Sequence, residues 1–130
     1  MALSALVMAC AAAPPEPPRA AAAPDPVSLA GTGWNVPGAA NPSATPRLEF
    51  STSGRVTGFT GCNMLTGSYT FDGDRLEVAA ATTKRACIGA GNETEALMLA
   101  IFAGRPRASI SGNKLILTTP DGKRLELDRN

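Results

Sequence analysis

The sequence predicts an α+β domain that is mostly β, an antiparallel meander or small barrel of short strands with one helix. Three observations carry this reading. Apolar residues alternate on either side of glycine-bearing turn signals, and the connections are too short and polar for parallel crossovers. A single segment switches to helical spacing. With 130 residues, the chain has room for one domain.

Trp34, the only tryptophan, reads as a core anchor in the first strand, after Gly31-Thr32-Gly33. From Arg47 to Phe59, Leu48 and Phe50 oppose Val56 and Phe59 across Ser53-Gly54, which is a hairpin pattern. Tyr69 and Phe71 oppose Leu76 and Val78 in the same way, and Asp72-Gly73 between them supplies the positive φ angles of a primed turn. Ser111-Gly112-Asn113 and Thr119-Pro120-Asp121-Gly122 then separate Ala108-Ser109-Ile110, Leu115-Ile116-Leu117 and Leu125-Glu126-Leu127. The helix runs from Asn92 to Phe102. Asn92 reads as its N-cap, Glu95 completes a capping box, Leu97, Met98, Ile101 and Phe102 form an apolar stripe, and Gly104 is the stop. A lone amphipathic helix in a β domain covers or plugs the sheet, which assigns the stripe to the core rather than to a partner.

The densest group of special residues is Gly54 to Asn63, continuing through Gly67-Ser68-Tyr69 to Thr82-Thr83-Lys84-Arg85-Ala86-Cys87. Gly58 and Gly61 bracket Phe59, which predicts a kink or bulge followed by a turn. Asn63 can bridge loop backbone through its amide, so the motif is accounted for by architecture alone. Asp72, Asp74 and Asp121 flank turn glycines, and Asp72-Gly73-Asp74 supplies too few ligands for a calcium loop. Lys84-Arg85 and Arg105 with Arg107 are short basic pairs, either solvated faces or contacts for anionic lipid or cell-wall polymer.

Ahead of the domain, residues 1–26 hold ten alanines, six of the eleven prolines and none of the thirteen glycines. Residues 1–9 read as a signal-like apolar segment. Val7-Met8-Ala9-Cys10 resembles a lipoprotein lipobox, with Cys10 as the acylated first mature residue, although Met8 is atypical and no Lys/Arg precedes the apolar run. Residues 10–26 then form an Ala/Pro-rich linker, and the folded domain occupies 27–130. Extended as polyproline II, the spacer would reach up to roughly 50 Å. Once Cys10 is assigned to lipid, Cys62 and Cys87 remain as one pair for a disulfide in an oxidising compartment, the alternative being two buried free thiols. Such a bridge would contribute roughly 3.5 kcal/mol by loop closure.

Composition closes several routes. A net charge of +1 with no basic block argues against nucleic-acid binding, and no run of eighteen apolar residues is present for a membrane span. The absence of histidine removes the Ser-His-Asp and Cys-His systems, so Cys62 as a nucleophile would have only Lys84 and Arg85 to lower its pKa. No catalytic residue, cofactor or metal is expected.

The order of motifs resembles the META domain, the HslJ-like family, over essentially Val27 to Asp128. The early Gly-Thr-x-Trp is Gly31-Thr32-Gly33-Trp34, and the Leu-x-Phe strand is Leu48-Glu49-Phe50. Gly-Cys-Asn is Gly61-Cys62-Asn63, Gly-x-Tyr is Gly67-Ser68-Tyr69, and a Thr-Lys/Arg-x-x-Cys-like element spans Thr83 to Cys87. A Glu-containing helix and a closing Asp-Gly hairpin, Asp121-Gly122, complete the series, with Gly89-Ala90-Gly91 before the helix as a departure. The resemblance implies a barrel-like antiparallel sheet of about seven or eight strands, in the bacterial envelope, associated with heat or antibiotic stress and without established enzymatic activity. The expected protein is a non-enzymatic envelope lipoprotein, held at the membrane by its lipid anchor and binding an envelope protein, with its oligomeric state open. Ala11 rather than Asp after Cys10 leans towards the outer membrane, facing the periplasm. The alternatives are a periplasmic inhibitor or small-ligand-binding barrel, and a cysteine-dependent enzyme or redox protein.

Overall fold

The computed structural model describes residues 27–39 and 44–130. The expected acyl site Cys10, the signal-like segment 1–9 and the linker 10–26 lie outside the described residues. Alternating apolar side chains resolve into β1 (Thr32–Asn35), β2 (Arg47–Phe50), β3 (Arg55–Phe59), β4 (Met64–Asp72) and β5 (Arg75–Thr82). Helix α1 (Ala90–Ala103) follows, then β6 (Arg107–Ser111), β7 (Lys114–Thr118) and β8 (Arg124–Arg129). Each strand pairs antiparallel with the next and β8 pairs with β1, so the sheet closes into an eight-stranded barrel. The mostly β, α+β class expected from the turns is the class observed.

The strand registers place inward-facing residues in rows. Trp34, Leu48, Gly58 and Leu65 form one row across β1 to β4, and Phe50, Val56 and Gly67 form the next across β2 to β4. Each row sets a bulky aromatic and a glycine on different strands, so that volume is shared around a narrow barrel. The glycines also permit its curvature. A Cβ on Gly58 would stand 2.2 Å from the Arg47 carbonyl oxygen, and one on Gly67 would stand 2.2 Å from that of Ala79. Pairing nevertheless runs through Gly58 in unbroken register with both neighbours. The kink or bulge expected there is therefore replaced by tight coiling of a regular strand, a second reason for glycine in a sheet.

The barrel is weakest between β5 and β6, which share a single register pair, Arg75 with Arg107. Leu76 N–H donates to the Pro106 carbonyl beside it at 2.8 Å. Helix α1 packs against β5 and β8 and sends Met98, Ile101 and Phe102 into the core with Leu115, Leu117, Leu125 and Leu127. Each such fully buried side chain contributes about 1.5–3 kcal/mol, and together they fill the interior.

Both helix ends differ in detail from the sequence reading. The helix starts at Ala90 rather than Asn92, with Gly89 at the N-cap and no side-chain cap. Glu95 cannot close a capping box because its carboxylate is bonded to residues of a distant turn. At the other end Gly104 is the C-cap, but its φ is −81°. The left-handed position is Arg105, at φ 51°. Gly104 is required by proximity, since a Cβ there would meet Thr119 Cγ2 at 2.7 Å.

Candidate functional site

Beyond β3 the chain reverses through Thr60-Gly61-Cys62-Asn63 and re-enters the sheet as β4. Thr60 organises the reversal: its Oγ1 accepts the N–H groups of Cys62 at 3.2 Å and Asn63 at 2.8 Å. Its own N–H donates to the Asn63 carbonyl at 2.9 Å. Gly61 has φ 98°, in the left-handed region that favours glycine. The turn lies against the first turn of α1 backbone to backbone, because a Cβ on Gly91 would stand 2.5 Å from the Gly61 carbonyl oxygen. The Gly89-Ala90-Gly91 link that departs from the family pattern thus supplies the glycine that this contact needs.

The Asn63 amide reaches away from its own turn to the segment after β5. Its Oδ1 accepts from the Arg85 N–H at 2.6 Å and from Thr83 Oγ1 at 2.9 Å, while its Nδ2 donates to the Arg85 carbonyl at 3.0 Å. One side chain therefore pairs with both backbone groups of Arg85, as a neighbouring strand would. Nδ2 also donates to Glu95 Oε1 at 2.9 Å, and Thr60 Oγ1 donates to the same oxygen at 3.0 Å. Thr60 and Asn63 are buried, and among the described residues no buried side-chain polar atom lacks a partner.

A covalent bond reinforces this clamp. Cys62 and Cys87 form a disulfide with a Cα–Cα distance of 5.8 Å. Cys62 Sγ rests 3.2 Å from the Arg85 carbonyl oxygen. That approach is a packing contact, since a bridged sulfur carries no proton to donate. The bridge also leaves Cys62 without a thiolate, so the nucleophile considered from the sequence does not exist in this state.

The remaining motif residues lie elsewhere in the barrel. Trp34 is fully buried, donates Nε1–H to Thr32 Oγ1 at 2.8 Å and carries the Arg129 guanidinium 4.7 Å above its ring. Tyr69 packs edge-on against Phe50 at a centroid distance of 5.0 Å, and its hydroxyl donates to the Ser51 carbonyl at 2.6 Å. Burial pushes the Tyr69 phenol above its ordinary value. Gly58 and Gly67 serve the curvature of the sheet. The structure thus brings Gly61, Cys62, Asn63 and Cys87 together, and sets Trp34, Gly58, Gly67 and Tyr69 in the barrel frame.

Sequence reasoning missed three members of the clamp. Thr60 carries no signal of its own, and Thr83 is marked only as the start of the Thr-Lys/Arg-x-x-Cys-like element, with nothing to join it to Asn63. Glu95 stands out in the sequence, but its spacing from Asn92 points to a local role. Outside the clamp, a shallow groove of about 400 Å³ on the outer face is lined by Thr32, Glu49, Arg55 and Asn130 among others. In the clamp itself the Thr60, Asn63 and Thr83 side chains and Glu95 Oε1 are engaged with other groups of the protein, so it holds one segment on another.

A closed eight-stranded barrel with one helix and a bridged Gly-Cys-Asn turn defines the class of protein. The family model for the META domain matches residues 27–130, and the chain belongs to that family. It is similar to an NMR structure of a protein from Burkholderia xenovorans, at 26% identity and a TM-score of 0.65, over 91% of this chain and 99% of that one. A second NMR structure, at 17% identity and a TM-score of 0.66 over 77% of this chain and 90% of the other, shares the fold. No curated protein matches the chain significantly.

Proposed function

We propose that this META-domain protein is a non-enzymatic, lipid-anchored component of the bacterial envelope that supports envelope integrity or stress tolerance by binding another envelope component. The observation that carries the reading is the Cys62–Cys87 bridge, because disulfides of this kind persist in oxidising compartments and are rare in the cytosol. Cys10, in its lipobox-like setting, then supplies the acyl site, and the Ala/Pro-rich linker gives the domain reach from the membrane. The side chains that fill the barrel favour a surface that binds over a chamber that encloses a small ligand.

Two measurements test this. Cells given radiolabelled palmitate should label the wild-type chain and not Cys10→Ala, and label that persists in the variant defeats the anchor. A strain lacking the protein should lose tolerance to heat or envelope-active antibiotics and recover it with wild type but not with Cys10→Ala. If pull-down from an envelope extract instead yields a single stoichiometric enzyme, the protein is an inhibitor.

A further inference from the structure

The clamp fixes the backbone of residues 83–87 and leaves the Lys84 and Arg85 side chains in solvent, which raises the question of what they meet. Lys84 and Arg85 are exposed, and Ile88, next to the bridged Cys87, is fully exposed at 102%. A lone exposed isoleucine needs no explanation, but this one has neighbours. The Met64 N–H donates to Thr83 Oγ1 and the Thr83 N–H to the Met64 carbonyl, and Met64 is 48% exposed. Register places Met64 opposite Phe59 and Phe59 opposite Arg47, whose guanidinium lies 5.8 Å from the Phe59 ring centroid. The outer rim at this end of the barrel thus reads Arg47, Phe59, Met64, Thr83 and continues into Lys84, Arg85 and Ile88.

The charges on this rim are of one sign. None of Arg47, Lys84 and Arg85 enters an ion pair among the described residues, whereas Arg105, Arg107, Lys114, Lys123 and Arg124 each have a carboxylate. Glu95, the nearby helix acid, is turned inward onto Thr60 and Asn63. Glu49, two residues from Arg47, and Glu93 in the first helical turn are the adjoining exposed acids. The rim is thus a strip in which unpaired cations stand beside exposed apolar side chains. It has the composition that suits the boundary between anionic headgroups and acyl chains.

We propose that this rim docks on the surface of an anionic phospholipid bilayer, with Ile88 and Met64 entering the headgroup region and Arg47, Lys84 and Arg85 meeting lipid phosphates. The clamp then has a purpose beyond stability. Holding Arg85 by its N–H and its carbonyl presents the loop in one conformation, so little ordering entropy is lost on contact. This contact goes beyond the anchor proposed above, because it requires no acyl chain.

The test uses the full chain carrying Cys10→Ala, which removes the acyl site, with sedimentation on vesicles of phosphatidylglycerol and phosphatidylcholine. Binding should rise with phosphatidylglycerol, be negligible on phosphatidylcholine alone, and fall as salt is raised. Adding Lys84→Ala and Arg85→Ala should weaken it about 25-fold, at about fivefold per cation. Adding Ile88→Ser should weaken it about tenfold. All these side chains are exposed, so unchanged thermal unfolding establishes that the variants are folded. Residues 1–9 are common to every variant, so the ratios report the loop alone. Equal binding to both lipids, loop variants that bind as well as their parent, or no binding to anionic vesicles would each overturn the proposal. None of these results bears on palmitate labelling of Cys10.

Discussion

At the Met64 end of the β4–β5 ribbon the side chains that hold the neighbouring segment are a disulfide and a buried amide, whereas at the Asp72 end, beside two backbone hydrogen bonds, they are ion pairs open to water. Arg105 meets Asp72 and Glu77, and Arg107 meets Asp74 at 3.3 Å, with every side chain in these pairs between 43% and 77% exposed. In water such pairs gain little over their separate hydration. A buried amide has no water to return to, so each of its bonds is costly to leave unmade. The first end fixes a conformation, and the second keeps a hairpin solvated and its charge neutralised.

Breaking the comparison at its strongest point means removing the bridge. The double substitution Cys62→Ala with Cys87→Ala should lower stability by about 3.5 kcal/mol in the loop-closure account, given a sequence separation of 25. Urea unfolding of variant and oxidised wild type measures this. A loss below about 1 kcal/mol would mean that the hydrogen bonds alone hold the clamp. Asn63→Ala should come next, at about 2–3 kcal/mol, because it leaves both backbone groups of Arg85 without their partner and takes one of two donors from Glu95 Oε1, which keeps only Thr60. Cys62 and Asn63 share Arg85 as a contact, so combining the substitutions should cost less than their sum. At the other end Arg105→Ala should change stability by no more than about 1 kcal/mol, even though it removes two ion pairs. A larger effect from Arg105 than from Asn63 would reverse the ranking of the two ends.

The same contrast separates what the sequence reveals from what it hides. Hairpins such as Tyr69 to Val78 are legible because turn and alternation lie within a few residues of one another, and the barrel follows once such hairpins succeed one another. The clamp joins Asn63 to Arg85 and Thr60 to Glu95, across 22 and 35 residues, and nothing in either segment names its partner. Glu95 shows how local reading goes astray: its spacing from Asn92 fits a capping box, but burial beside Thr60 offers the carboxylate better-satisfied bonds than a frayed helix end. Gly58 and Gly67 stand out in the sequence, but their reason is the neighbouring strand's carbonyl, which only the register supplies. The cysteine pair is the exception among long-range contacts, because counting alone left two candidates once Cys10 was set aside.

The smallest effect expected lies in the β7–β8 turn and separates exposed charge from buried polarity by pH. Asp121 is held down to about 2 from an ordinary 3.8, first by its bond to Lys123, then by the Thr119 hydroxyl. Thr119 is itself buried and accepts the Lys123 N–H at 2.9 Å, so the carboxylate is tied to the buried side of its own turn. A carboxyl with a depressed folded-state value adds stability that is fully present above its unfolded value, near pH 4, and is lost as pH falls through about 2. The wild type should therefore lose stability between pH 4 and pH 2 more steeply than Asp121→Asn, with the two curves parallel above pH 5. The Asp121 carboxyl, followed by NMR, should titrate near 2 and move up towards 3.8 in Lys123→Ala. An unmoved midpoint in that variant would assign the shift to Thr119, and so to the buried side of the turn rather than to the solvated pair.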